Sequence, residues 1–214
     1  MPRRLITLVH FSALSRISIQ EIRDFLCVLA RAKIGVLAWA LVSLKRSQAL
    51  IPVSMDALLA RLVEWGIQAT TTTHEAVFTV AAAAHTHDAI PGVHCKNLFL
   101  KDSRGQLWLV VCPHDRPVDL KTLPARIGSG RLSFGKPALL DEVLGVIPGA
   151  VTPFALINDT EHRVKVVLDA WMVAQEKVNY HPLVNTATTT VSGADLVRFI
   201  QACGHEPVMI DLAP

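Results

Sequence analysis

The chain has 214 residues, of which 51% are hydrophobic and 18% charged, so it builds a core and is not an intrinsically disordered polyelectrolyte. Its net charge of +3 is uneven: residues 1–50 hold eight Lys/Arg against two Asp/Glu, which leaves 13 basic and 16 acidic residues in 51–214. That balance excludes the broad basic face of a general nucleic-acid binder, so any RNA handled by the main part must be held at a local site.

The composition breaks at Ile51-Pro52, which predicts a basic N-terminal extension over 1–52 and one domain over 53–214. In the extension, Ser18-Ile19-Gln20-Glu21 reads as a capping box, with Ile19, Ile22, Leu26 and Leu29 at helical spacing. The apolar stretch Ile34 to Leu44 is too short to span a bilayer, and no membrane is expected as a partner. The Arg-rich, acid-poor start also fits a transit peptide, but an upstream extension before a natural start at Met55 is the favoured reading.

From Ser54 the pattern is regular. Ser54 caps a predicted helix carrying Leu58, Leu59, Leu62 and Val63, with Gly66 as its stop. Gln68 to Thr73 is rich in β-branched threonine and predicts a strand. Thr79 is placed as the cap of a short helix through Ala81–Ala84. Asn97–Lys101 and Leu107–Val111 flank the turn Asp102-Ser103-Arg104-Gly105, a hairpin signal. Asp119 is expected to cap a helix towards Ile127, and Pro137 to open one that ends at Gly145. Phe154–Ile157 and Val164–Leu168 read as strands around Asn158-Asp159, and Thr186–Val191 as another. Ser192 caps a last helix that stops at Gly204, followed by a strand over Val208–Asp211. Strands and helices alternate irregularly with hairpins, which predicts an α+β fold with a mixed sheet.

Four stretches carry chemistry. Gly92-Val93-His94-Cys95-Lys96-Asn97 puts a lysine and an asparagine at the mouth of a strand, a fixed positive charge suited to an anionic or carbonyl-bearing ligand. Gly149-Ala150-Val151-Thr152-Pro153 is a loop whose glycine turns the backbone, whose proline fixes the far end, and whose amides are free to point at an ester oxygen. In Asn179-Tyr180-His181-Pro182, proline biases His181 towards extended geometry at a strand end. Gly128-Ser129-Gly130-Arg131 reads equally as a phosphate cradle and as a helix stop with a tight turn.

Other chemistry is weaker. His85, His87, His94 and Cys95 form the one plausible metal cluster in the sequence, without a second Cys/His group at ligand spacing, so no metal and no cofactor are expected. Cys112-Pro113-His114-Asp115 does not make a triad, because triad members come from separate parts of a fold. Cys27, Cys95, Cys112 and Cys203 include no C-x-x-C pair, which favours a reduced, cytoplasmic setting.

In their order and spacing, the Lys96-Asn97 stretch, Gly128–Phe134, Gly149–Pro153 and Asn179–Ala187 resemble the YbaK/ProX-type prolyl-tRNA editing family, over about Ser54 to Leu212. The resemblance implies a compact, barrel-like α+β fold and trans hydrolysis of the aminoacyl ester of mischarged tRNA(Pro). It is closest to the free-standing proteins acting on alanyl-tRNA(Pro); a cysteinyl-tRNA(Pro) deacylase and a catalytically silent tRNA-binding or synthetase-associated module are the alternatives. It implies Lys96, His181 and Gly149 as catalytic residues. Asn97, Ala150, Val151, Thr152, Pro153, Tyr180, Gly130 and Arg131 are then substrate-binding. Tyr180 departs from the family's usual residue, which bears on pocket size. The implied partners are the acceptor end of tRNA(Pro) and prolyl-tRNA synthetase, not DNA, and neither a metal nor a protein nucleophile takes part.

Overall fold

The computed structural model describes residues 51–75 and 89–213. Predicted features of the extension, the helix placed after Thr79, and the residues His85 and His87 lie outside them.

Capping chemistry fixes the helix starts. The Ser54 hydroxyl accepts the Ala57 N–H and opens α1 (Met55–Glu64), which buries Leu58 and Leu62 and closes before Gly66 at φ +66°. Val63, placed on the apolar face by spacing, is 77% exposed. Strand β1 (Thr70–Thr73) is shorter than predicted. The hairpin is longer: β2 runs Val93–Asp102 and β3 Leu107–Pro113. Helix α2 (Leu123–Ile127) starts after Thr122, not at Asp119, whose carbonyl accepts the Leu123 N–H one turn earlier. Strand β4 (Leu132–Phe134) precedes α3 (Pro137–Leu144), which ends on Gly145 at φ +62°.

The largest departure is Phe154–Ile157. Expected as a strand, it lies inside a 3-10 helix over Pro153–Asn158. Thr152 accepts the Phe154 N–H and Pro153 sits in the first turn, so the local capping signals outweigh the apolar run. There follow β5 (Val164–Asp169), α4 (Ala170–Val173), β6 (Val178–Tyr180), β7 (Ala187–Val191), α5 (Gly193–Ala202) and β8 (Val208–Ile210). Ser192 caps α5 through the Asp195 N–H.

The strands form one mixed sheet in the order β1-β7-β6-β2-β3-β5-β8, with β4 also beside β2. β2 pairs antiparallel with β3 and β4, and parallel with β6; β3–β5 and β5–β8 are parallel too. Its main core lies on one face, where Phe154 meets Phe199 edge-on at 5.1 Å and Tyr180 at 5.9 Å. A second cluster with Leu100, Trp108, Val110 and Cys112 lies on the other face. Both layers follow from the period-two alternation of β2 and β3.

One edge of β2 is split. On the side away from β3, β6 pairs only with Val93 and His94, and β4 only with Leu100, Lys101 and Asp102. Among the described residues, no strand covers Cys95 to Phe99 on that side. Lys96 and Asn97 sit at this gap.

Candidate functional site

The gap is closed by a loop. The Asn97 side-chain amide donates to the Val151 carbonyl at 2.9 Å, joining β2 to the Gly149–Pro153 turn across 54 residues. Asn97 Oδ1 is buried and has no hydrogen-bond partner among the described residues. A buried acceptor without a partner costs free energy, so it marks a place for a donor.

The loop itself sorts into scaffold and donors. Gly149 is exposed with φ +91°, and a Cβ there would meet nothing, so the glycine serves the backbone turn and not a close approach. The Ala150 N–H is used on the Ile147 carbonyl, and its side chain is buried in the core. Thr152 is fully buried and caps the 3-10 helix, and Pro153 is buried in that helix's first turn. These three residues shape the loop from inside. The N–H groups of Val151 and Thr152 make no hydrogen bond among the described residues.

Lys96 points the other way. Successive strand residues alternate faces: Asn97 goes with Phe99 to the main core side, and Lys96 with Leu98 and Leu100. The Lys96 ammonium donates to the Arg116 carbonyl. The Arg116 guanidinium bridges buried Asp169 at 2.8 Å and Asp211 at 3.0 Å, and lies 5.7 Å from the Trp171 ring. Beside it His94, His114, Asp115, Arg116 and half-exposed Trp171 line a cleft of about 640 Å³. Lys96 and Asn97 thus leave β2 on opposite faces.

His181 is half-buried. Its Nδ1 lies 2.9 Å from the Ala187 carbonyl, which can only accept, so Nδ1 carries the proton and Nε2 keeps its lone pair. Burial lowers its pKa below the ordinary histidine value; the Ala187 carbonyl opposes this, and His74 and His94 reinforce it. The His74 ring is 6.3 Å away and bonds Thr188 Oγ1 at 3.0 Å, while His94 Nε2 lies 3.2 Å from Asn179 Nδ2. Leu183, two residues on, holds φ +68°, a conformation that costs a branched side chain energy and fixes the loop. The sequence reading missed His74 and Asn179, because both come close only through the β1–β7–β6–β2 pairing.

Two expected contacts are placed elsewhere. Tyr180 is a core residue, 2% exposed, with its hydroxyl donating to Met172 Sδ at 3.1 Å. The Gly130 N–H, read as a phosphate donor, is bound to Asp102 Oδ2 at 3.0 Å, and Ser103 N–H holds the Arg131 carbonyl. The 128–131 turn is therefore a pinned structural loop that leaves Arg131 exposed.

Thiol chemistry finds no support. Burial pushes Cys95 to about 12, Cys112 to about 11 and Cys203 to about 12, so all three stay protonated at neutral pH. Among the described residues, no group of three His, Cys, Asp or Glu side chains is arranged to hold a metal.

The gap thus holds an unpartnered amide oxygen tied to a loop with two unengaged amides, and His181 follows β6, the strand that pairs with β2 up to the edge of that gap. The family model "Aminoacyl-tRNA editing domain" matches residues 74–199, and this chain belongs to that family. It is 39% identical to a prolyl-tRNA synthetase associated domain-containing protein 1 of Danio rerio, over 73% of this chain and 84% of that one. It is 38% identical to the prolyl-tRNA editing protein ProX of Acetoanaerobium sticklandii, over 73% and 96%. A multifunctional Ser/Thr-tRNA deacylase ProXp-y of Escherichia coli K12 is 27% identical over 70% and 89%. A crystal structure described as a proposed trans-editing enzyme for prolyl tRNA synthetase shares the fold, with TM-score 0.59 at 18% identity, covering 75% of this chain and 96% of that one.

Proposed function

We propose that the domain hydrolyses the aminoacyl ester of mischarged tRNA(Pro) in trans, with Ala-tRNA(Pro) as its main substrate. The observation that carries this reading is the Asn97–Val151 bond, which fixes a loop presenting two unengaged amides. These amides hold the ester carbonyl as its oxygen becomes negative. Asn97 Oδ1 accepts a hydrogen bond from the substrate. Water adds to the carbonyl carbon, the bond to the ribose oxygen breaks, and that oxygen leaves with a proton. His181, neutral and with a free Nε2, accepts a hydrogen bond from the water or from the adjacent ribose hydroxyl. Lys96 contributes positive charge from the other face of β2. No metal or cofactor is needed, and the setting is the cytoplasm, with the tRNA acceptor end and prolyl-tRNA synthetase as partners.

The selectivity is steric. Val151 and the rigid turn between Gly149 and Pro153 leave room for a small side chain, and overpacking a rigid site costs about 1–3 kcal/mol, roughly a fivefold to hundredfold preference against proline. The Escherichia coli relative, a Ser/Thr-tRNA deacylase, makes serine and threonine the competing substrates, and the Danio rerio relative's name leaves room for a silent module. Hydrolysis of Ala-, Ser-, Thr-, Cys- and Pro-tRNA(Pro) by the purified protein, side by side, tests the proposal. Fastest release of alanine supports it; no release from any of them leaves the silent module.

A further inference from the structure

A second cleft, of about 600 Å³, opens at the turn end of the β2–β3 hairpin. Asp102 at its rim is five residues from Asn97, about 16 Å along an extended strand. Lys101, Arg104, Arg163 and Lys165 line it, four of the 13 basic residues of 51–214. Residues 51–214 carry 16 acidic side chains, so this concentration runs against the balance of that part of the chain.

The nearby acids cancel only part of it. The Asp102 carboxylate has no exposed side-chain surface, and its oxygens take the N–H groups of Arg104, Gln106 and Gly130 at 2.9–3.0 Å. Burial alone would raise its pKa, but those three N–H groups prevail and hold it below the usual range, so it stays ionised and turned inward. Glu142 takes one Arg163 nitrogen at 2.8 Å. Lys101 is exposed, and exposed Lys165 lies 5.4 Å from the Trp108 ring centre. The Arg104 side chain is 64% exposed, but its Nε lies 3.6 Å from Asp102 Oδ2 and its Nη2 donates to the Gly128 carbonyl at 2.6 Å, so Lys101 and Lys165 carry the cleft's charge without an ion pair among the described residues.

The shape argues for a chain of charges over a single phosphate. With the Gly130 amide taken by Asp102, the cleft lacks the converging backbone donors of a phosphate nest. Its cations are spread over β2, the hairpin turn and β5; strand alternation sends Lys101 out on the Phe99 face of the sheet and Lys165 out on the Trp108 face, so the two lysines flank the hairpin end from opposite sides. Spaced, exposed cations suit successive phosphates of a nucleic-acid backbone, which position a substrate without reading its sequence.

We infer that this cleft binds the phosphodiester backbone of the RNA substrate and holds it while the ester is presented at the Asn97 gap; the inference rests on the tRNA reading above. The test uses the full chain and uncharged tRNA, with binding followed against salt from 50 to 200 mM. Lys101→Ala/Lys165→Ala should flatten the log–log slope by about 1.8, two phosphate contacts at 0.9 each. Over that fourfold range the wild-type affinity then falls about tenfold more than the variant's. Lys101→Arg/Lys165→Arg should keep the wild-type slope. Arg61→Ala/Lys121→Ala, which removes two exposed cations outside the cleft, should keep it too. An unchanged slope in the alanine pair, or an equal loss in the Arg61/Lys121 pair, overturns the inference. If the wild type deacylates aminoacyl-tRNA while the alanine pair binds like it, the cleft assignment alone is wrong. If the wild type neither binds nor deacylates tRNA, both readings are wrong.

Discussion

Asn97→Ala separates catalysis from stability. The change removes the 2.9 Å bond to the Val151 carbonyl and leaves that half-buried acceptor unpaired, a cost of about 1–3 kcal/mol. It also removes Asn97 Oδ1, which is buried and unpartnered, and that relief offsets part of the cost. The net destabilisation is then about 0–1.5 kcal/mol, a fall in Tm of at most about 6 °C for a domain of this size. Catalysis has no such offset. The variant loses the tether of the loop and the acceptor offered to the substrate, and a misplacement of about 1 Å costs on the order of a hundredfold in rate. Thermal unfolding and single-turnover deacylation of Ala-tRNA(Pro), measured on the same preparation, give both numbers. A variant with a third or more of wild-type kcat/KM would refute the argument that this bond aligns the loop. So would a loss of activity that merely tracks unfolding.

Five further outcomes are expected. Lys96→Ala should drop deacylation below a tenth of wild type with Tm nearly unchanged, since the side chain's one described bond is to the Arg116 carbonyl; more than a tenth remaining would remove Lys96 from the mechanism. With neutral His181 as the working form, activity should be flat above pH 6.5 and fall only below it; a fall beginning above 6.5 would contradict the lowered pKa. Burial also lowers the pKa of His205, and groups depressed in the folded state bind protons first in the unfolded chain. Stability should therefore be complete above about pH 6.5 and decline as pH falls, and a Tm that rises on acidification would reverse that sign. Tyr180→Ala should cost about 3–5 kcal/mol as a core cavity, whereas Tyr180→Phe should leave the Ala/Pro preference intact; an altered preference in the Phe variant would place the Tyr180 hydroxyl in the pocket and not in the core. Removing residues 1–49 should spare Tm and deacylation, and the cut must stop there, because the Val53 N–H holds Asn158 Oδ1 at 2.9 Å and Pro52 lies against Gly145.

What the sequence discloses is mainly what is local. The caps at Ser54 and Ser192, and the glycine stops at 66, 145 and 204, are set within a turn of chain, and each stands where the residues put it. Phe154–Ile157 misleads because a run of four apolar residues has no readable period; the Thr152-Pro153 pair carried the signal for a helical turn. The short elements β4, β6 and α4 offer too few residues for any pattern. At the site, the loop, the asparagine and the histidine were all legible as residue types. Their relation was not. The Asn97–Val151 bond and the inward Asp102 that consumes the Gly130 amide depend on contacts many residues apart, and the opposed directions of Lys96 and Asn97 follow from alternation only because the strand starts at Val93 and not at Asn97.

The central claim is that a sheet gap closed by the Gly149–Pro153 loop hydrolyses a small aminoacyl ester on tRNA(Pro). The most direct measurement is the ratio of kcat/KM for Ala-tRNA(Pro) and Pro-tRNA(Pro) with the purified wild-type protein. The account predicts alanine release at least about fivefold faster, the lower bound of steric exclusion from a rigid site. Equal rates would contradict it, since such an enzyme would destroy the correctly charged tRNA as readily as the error.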